Sequence, residues 1–358
     1  MEAPIRELSG IDEWQSFEPG LERVKHGLKR LGFPHRHFRH FLVGGTNGKG
    51  TVSFNLARAL GPSTGLFTSP HLIDVRERIT LAGKPFPDSA WKKARDRILA
   101  VWPKPNLSYF EWLFLLAVEI FRQANVQDAV FEVGMGGRLD ATNALSPELS
   151  ILTQVSMDHQ QFLGNTREEI ALAKIEIARP EKPFFFPEDI LAFNEVRSRI
   201  EIMGCLQKPQ PISQRFEDNL NLVNQALEWL GHKPLEKLVL LPGRRERLGS
   251  DLILDGAHNP VGWRDLARWV QSLHATPLNV LCSLSKGRNP ETFLEELRPV
   301  AKRFYHWHAG FEKELPAEHW PDSVTVIESG DLQELLKRPL LVCGSLYFVG
   351  AFKAWYEK

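Results

Sequence analysis

Cysteine is scarce in this chain: among 358 residues there are three, Cys205, Cys282 and Cys343, odd in number and far apart. They offer neither a disulfide framework nor a metal pair, which suits a reducing, cytoplasmic setting. Net charge is also missing. The 44 basic residues balance the 44 acidic ones, so no field of one sign argues for nucleic acid or an anionic membrane surface. No apolar run is long enough to span a bilayer, and the N-terminal stretch from Met1 to Glu7 has no apolar core for a signal peptide. Internal repeats and low-complexity tracts are absent too. These absences leave a soluble cytoplasmic chain, expected as a monomer, that takes small charged ligands at a local site. Its length predicts two domains, and apolar and charged fractions of 43% and 25% are ordinary for globular proteins.

Against this background one stretch stands out. Phe41-Leu42-Val43 reads as a short buried strand running into Gly44-Gly45-Thr46-Asn47-Gly48-Lys49-Gly50-Thr51, and Val52, Leu56 and Leu60 then recur at near-helical spacing. A strand, a Gly-rich turn and a helix N-terminus in that order make an anion site. Glycines let backbone N–H groups turn toward a phosphate, and the helix end adds partial positive charge. Lys49 is placed to reach the β- and γ-phosphates and Thr51 to ligate Mg²⁺. The pattern departs from the strict phosphate loop in two places: Val43 stands where the first glycine belongs, and Gly50 separates Lys49 from Thr51.

Further strands follow at 65–68, 129–133 and 150–155, with helices at 19–32, 88–100, 109–123 and 165–178. Strands separated by helix-length segments predict βαβ units on a parallel sheet, whose ligands gather at the carboxyl ends of the strands. Lys49, Ser69, Glu132 and His159 all fall at such ends. Pro85 and Pro87 mark a loop, the segment 184–186 reads as a strand, 189–203 as a helix, the region of Pro209 and Pro211 as a loop, and 217–230 as a helix. Leu241-Pro242-Gly243-Arg244-Arg245 reads as a hinge. The pattern then restarts, with strands at 252–254, 278–281, near Phe304 and at 340–343, and helices at 260–273 and 291–298. The fold class is therefore α/β: an N-terminal parallel-sheet domain of the P-loop NTPase type and a smaller C-terminal Rossmann-like α/β domain. The boundaries are 1–238, a linker at 239–246, and 247–358.

Several residues at these positions allow two readings. Glu132, a carboxylate in an apolar strand, is either a Mg²⁺ ligand or a cap beneath the glycine loop that follows it. His159, beside Asp158, is a ligand or a structural histidine, and Lys174 by itself is an ordinary lysine on an amphipathic helix. Arg244 suits phosphate recognition through its bidentate fork but could equally be a solvated linker charge. Asp255 follows a strand and could meet a ribose hydroxyl or a cation, with His258 meeting a ligand carboxylate. A tight turn capped by Asn259 is the alternative.

Taken together, Gly45 to Thr51, Thr68-Ser69-Pro70-His71-Leu72, the run from Glu132 to Asn143, Asp158-His159, Pro242-Gly243-Arg244 and the run from Asp255 to Pro260 occur in an order that closely resembles the folylpolyglutamate synthase/dihydrofolate synthase branch of the Mur ligase superfamily. The resemblance runs from Gly20 to Gly350. It implies an ATP-binding central-type domain at 1–238 and a glutamate-ligase domain at 247–358. It also implies an ATP loop at Gly45, Thr46, Asn47, Gly48, Lys49, Gly50 and Thr51, and Mg²⁺ ligands at Thr51, Ser69, Glu132 and His159. Further nucleotide contacts fall on Arg244, Asp255 and Asn219, with Asn221 as the competing register. Lys174 matches the family's carbamylated lysine, and His258 and Ser345 match its glutamate positions. Here Ile175-Glu176 follow that lysine where the family has small residues.

The activity implied is ATP-dependent ligation of L-glutamate to a carboxylate of dihydropteroate or a folate through an acyl phosphate. Lys49, Lys174 and His258 would be the catalytic groups. Two alternatives share the nucleotide site: an amino-acid ligase acting on a nucleotide-linked cell-wall precursor, and a non-catalytic nucleotide-binding descendant.

Overall fold

The apolar run ahead of the Gly-rich turn lies inside a sheet and not at its margin. A computed structural model describes residues 20–211, 216–273, 277–311 and 313–357. It divides the chain into two compact units, the first ending at Ser69 and resuming over Arg76–Val239, the second comprising Pro70–Val75 and everything from Leu240. Sequence reading took the first domain as continuous. Pro70–Val75 departs from that because the half-buried Leu72 packs against the core of the second unit, and Gly350, lacking a side chain, lets the Leu72 carbonyl approach its backbone.

In the first unit the strands are β1 (Arg39–Gly44), β2 (Thr64–Phe67), β3 (Ile79–Leu81), β4 (Lys84–Pro85), β5 (Asp128–Glu132), β6 (Leu149–Leu152), β7 (Pro183–Pro187) and β8 (Leu206–Gln210). Their order is β4-β3-β2-β5-β1-β6-β7-β8. The segment from β2 to β8 is parallel throughout, and β3 and β4 add an antiparallel edge. Strands buried on both faces must be apolar throughout, which is why Phe41-Leu42-Val43 and Phe184-Phe185-Phe186 show no alternation. One face is covered by the helices Lys49–Leu60 and Asp218–Trp229, whose Val52, Leu56, Leu222, Val223 and Ala226 meet Phe41, Val43, Val130 and Ile151. The apolar helix Tyr109–Gln123 is held by a Ser108/Glu111 capping box and brings Phe114 and Phe121 against Phe131.

In the second unit the strands are β9 (Glu246–Leu248), β10 (Leu252–Asp255), β11 (Leu278–Cys282), β12 (Ala301–Trp307), β13 (Val324–Ile327) and β14 (Leu340–Cys343), in the order β13-β12-β11-β14-β10-β9. All pairs but β9–β10 are parallel. The helices Pro260–Leu273 and Pro290–Leu297 pack Trp263, Leu266, Phe293 and Leu294 on one face, and Leu346–Tyr356 packs Phe348, Val349 and Phe352 on the other.

Three local expectations need correction. The region around Pro209 forms β8 and is not a loop. Because β8 is the edge strand, the missing N–H of proline is tolerated there. The helix expected over 189–203 is broken into a short 3-10 turn, Glu188–Ala192, and the helix Asn194–Met203, with Phe193 extended between them. Pro85, read as loop, belongs to the two-residue strand β4. Among the described residues no helix is long and apolar enough to cross a membrane.

Candidate active site

The Gly-rich turn joins β1 to the helix Lys49–Leu60, so the backbone N–H groups at that helix start face the end of the strand. Two glycines take conformations that side chains resist: Gly45 has φ +137° and Gly48 φ +87°. A Cβ on Gly45 would overlap the Thr153 hydroxyl, and one on Gly48 would overlap the Asn219 amide. The cradle is thus lined tightly from β6 and from the helix Asp218–Trp229. Thr153 donates its hydroxyl to the Asn47 carbonyl at 2.7 Å. The Thr46 N–H donates to the Gln154 carbonyl at 2.8 Å, and the Ser156 N–H donates to the Thr46 hydroxyl at 3.1 Å. The loop is therefore fastened to the residues that follow β6. Thr153 was not singled out from sequence, since a threonine at a strand end carries no signal until its neighbour across the sheet is known.

Beside the loop, the ends of β2 and β5 meet. The Ser69 N–H donates to Glu132 Oε2 at 3.0 Å, and Glu132 is buried. Strands β2 and β5 are paired in parallel, and β5 pairs with β1 so that Val43 stands opposite Glu132. Ser69, Glu132 and the loop thereby share one rim. Thr51 is buried in the first turn of the loop helix. Past β6, His159 takes a left-handed conformation with φ +50°, and its N–H donates to Asp158 Oδ1 at 2.9 Å. The glycine loop after β5 is ordered by Asp140, which accepts from the Met135 N–H at 2.9 Å and the Thr142 hydroxyl at 2.6 Å. Complete burial holds the Asp140 carboxyl above its ordinary range despite these donors.

Lys174 proves to be no solvated lysine. It is 2% exposed, and its Nζ donates to the Gly45 carbonyl at 3.0 Å. Burial, with the nearby Lys49 charge adding to it, lowers its pKa from 10.5 to about 7, while Asp158 and Asp140 oppose the shift. The helix that carries it, Arg167–Ile175, starts at a Thr166/Glu169 capping box. Lys49 Nζ donates to the Thr46 carbonyl at 3.2 Å. Of the two asparagines that competed in sequence, Asn219 abuts Gly48, whereas Asn221 contacts Gln210.

The donors on this rim suit a hard cation. A threonine hydroxyl, a serine and a carboxylate are oxygen ligands of the kind Mg²⁺ takes alongside substrate phosphates, and one imidazole completes the set. The cradle that any Cβ at Gly45 or Gly48 would fill suits a phosphate chain approached by backbone N–H groups. The residues present therefore fit a magnesium–nucleotide complex.

The remaining predicted residues lie in the second unit. Asp255 ends β10 and accepts from the Arg245 N–H at 2.8 Å and the Ala257 N–H at 2.7 Å, so it organises the turn on either side. Arg244 donates to the Gly256 carbonyl at 3.0 Å, and His258 Nδ1 lies 3.3 Å from the same oxygen. Ser345, buried at the start of the helix Leu346–Tyr356, has its hydroxyl 3.3 Å from that of Ser285.

Residues 43–201 match the Mur ligase middle domain. The dihydrofolate synthase/folylpolyglutamate synthase of Bacillus subtilis is 28% identical, over 93% of this chain and 94% of that one. Escherichia coli FolC, solved in complex with DHPP and ADP, superposes with a TM-score of 0.87 at 26% identity over 99% of this chain and 96% of that chain. The Yersinia pestis folylpolyglutamate synthase/dihydrofolate synthase, solved with AMPPNP and a Mn ion, gives 0.82 at 25% identity over 99% and 97%. A phosphate cradle on a parallel sheet, a second α/β unit and likeness along nearly the full length agree, and the chain belongs to the folylpolyglutamate synthase/dihydrofolate synthase branch of the Mur ligase superfamily.

Proposed function

We propose that this chain ligates L-glutamate to the carboxylate of dihydropteroate, a folate or both, and that the rim residues described above carry the reaction. The chain is an ATP-dependent carbon–nitrogen ligase of the folylpolyglutamate synthase/dihydrofolate synthase type, and ATP with a divalent metal is consistent with the ligands of its solved relatives. When bound, ATP would supply the phosphoryl group, with Mg²⁺ offsetting its charge, so that the acceptor carboxylate becomes an acyl phosphate as ADP leaves and the glutamate amine then displaces inorganic phosphate to give the amide. Neither a cell-wall ligase nor a non-catalytic descendant is favoured by the relatives found.

The chain's own groups do the holding. N–H groups of residues 45–51 and the Lys49 ammonium hold the phosphates and offset their charge. Thr51, Ser69, Glu132 and His159 hold the metal, and Asn219, Arg244 and Asp255 orient the nucleotide. His258 and Ser345 orient glutamate, with His258 a candidate to take the proton its amine must lose. Lys174 is our candidate for carbamylation: an amine with a pKa of about 7 is partly neutral at physiological pH, the form that adds carbon dioxide. We assign residues 1–238 to nucleotide binding and 247–358 to glutamate ligation, in a cytoplasmic monomer.

The observation that supports this most is the Ser69–Glu132 hydrogen bond, because it brings together two expected metal ligands from separate strands on the rim that the Gly45–Thr51 cradle shares. Lys49→Ala should lower glutamate-dependent ADP release at least a hundredfold with an unchanged circular dichroism spectrum. Near-normal turnover would refute the assignment. Product masses, with dihydropteroate and tetrahydrofolate supplied separately, distinguish first from later glutamate additions.

A further inference from the structure

Within the second unit, a group of side chains to which the proposed ligation assigns no role lies where β12 ends. His306 is the penultimate residue of that strand, His308 follows it, and Glu314 lies on the returning loop. One ring nitrogen from each histidine and one carboxylate oxygen lie within 4.8 Å of one another. His308 Nδ1 and Glu314 Oε2 are already 3.1 Å apart.

The three groups are prepared differently. His306 is 0% exposed, in a parallel strand paired to β11 and β13 and with its ring stacked on Trp320. Its Nδ1 lies 3.0 Å from the Cys282 carbonyl. A carbonyl only accepts, so Nδ1 carries the proton and the neutral ring presents a lone pair at Nε2. Nε2 is itself buried and has no hydrogen-bond partner among the described residues. A buried acceptor without a donor costs about 1–3 kcal/mol, so a ligand that accepted this lone pair would relieve a standing penalty. An imidazole fixed through Nδ1–H to a backbone carbonyl is also how metal-binding histidines are commonly oriented.

Glu314 is held as firmly. Its Oε1 accepts from the Ser283 hydroxyl at 2.6 Å and the Ala309 N–H at 3.0 Å, and its Oε2 from the Gly310 N–H at 2.6 Å. These donors fix the carboxylate and leave no rotational freedom to be lost on binding a cation. His308 is the adaptable member: its side chain is 63% exposed, giving both an entry path and freedom to swing. Donors about 2.0–2.1 Å from a tetrahedral zinc stand about 3.4 Å apart, so no pair of these ligand atoms has to close by more than about 1.4 Å from the present spacing.

We infer that His306, His308 and Glu314 form a binding site for a divalent transition-metal ion of the zinc type, with two imidazoles and one carboxylate as ligands and the fourth position open to water. Two nitrogens and one oxygen suit Zn²⁺ and disfavour Mg²⁺, which prefers oxygen throughout. The bound ion ties Glu314 to the end of β12. It shares no residue with the magnesium ligands of the proposed function, all of which belong to the first unit.

The test uses the tag-free full-length chain, stripped with chelator and kept in excess Mg²⁺ so that the magnesium positions are filled. Co²⁺ alone is then titrated as the spectroscopic probe. The expected result is a visible ligand-field band that saturates at one equivalent and is bleached by Zn²⁺. His308→Ala, at an exposed position that leaves the core untouched, weakens Co²⁺ binding at least tenfold, and Glu314→Gln does the same. Absence of a saturating band overturns the inference, and so does metal binding in both variants within threefold of wild type. Neither result depends on the ligase assignment, which is read from ADP release.

Discussion

Replacing Lys174 by methionine perturbs the electrostatics at the base of the phosphate cradle at a single atom. The amine is buried, donates to the Gly45 carbonyl, and has its pKa lowered from 10.5 to about 7. A lysine whose folded pKa lies below its unfolded value opposes folding wherever the unfolded chain binds the extra proton. Stability therefore rises with pH between about 7 and 10.5. At about 1.4 kcal/mol per tenfold change in proton affinity, the penalty at pH 6, where both states are largely charged, is about 5 kcal/mol. At pH 9 the folded amine is neutral while the unfolded one is still mostly charged, and the penalty is about 2 kcal/mol by the same linkage. Methionine is similar in length and carries no charge, so it removes the penalty at every pH and forfeits one hydrogen bond of about 1 kcal/mol. The variant should exceed wild type in stability by about 4 kcal/mol at pH 6 and about 1 kcal/mol at pH 9, while losing glutamate-dependent ADP release. Denaturant titration of both proteins at both pH values reads the difference, and the subtraction cancels every group they share. Two parallel pH profiles would mean that the lysine is not held near neutrality and would remove the physical basis for its modification by carbon dioxide.

Other consequences are simpler to check. Gly45→Ala must hold a side chain at φ +137° and drive its Cβ into the Thr153 hydroxyl. With about 3 kcal/mol of strain or more at the cradle, kcat/KM for ATP should fall at least a hundredfold, and a fall of less than threefold refutes the close packing. Thr153→Val removes the bond to the Asn47 carbonyl and should lower kcat/KM for ATP about tenfold, a loss of 1–2 kcal/mol, with little change in KM for glutamate. Glu132→Gln keeps the shape that accepts from the Ser69 N–H and removes the charge, so half-maximal turnover should require about tenfold more Mg²⁺. An unaltered Mg²⁺ dependence would return Glu132 to a purely structural role.

The local backbone form was legible in the chain itself. A buried strand, conformationally special glycines and a helix start occur within a dozen residues, so Gly45 to Thr51 read as a phosphate cradle without any partner in view. Short-range periodicity likewise placed the helices Tyr109–Gln123 and Pro260–Leu273 and the strands β5, β10 and β11, because each buries a continuous face whose spacing is fixed by its own geometry. Strand β13, the hairpin of β3 and β4, and the edge strand containing Pro209 escaped, being short and defined by their neighbours more than by internal pattern.

Tertiary structure decided what separate segments do to one another. Lys174 has the sequence context of a solvent-facing helical lysine, and only the packing of its helix under Gly45 buries it and lowers its proton affinity. Thr153 became part of the cradle because β6 pairs with β1, and Asn219 separated from Asn221 because one of the two meets Gly48. The same holds for His306 and Glu314, unremarkable in sequence until a strand end and a returning loop bring them together. Burial and electrostatic coupling arise from contacts distant in sequence, and no local pattern encodes them, whereas backbone conformation and amphipathicity are properties of a few consecutive residues.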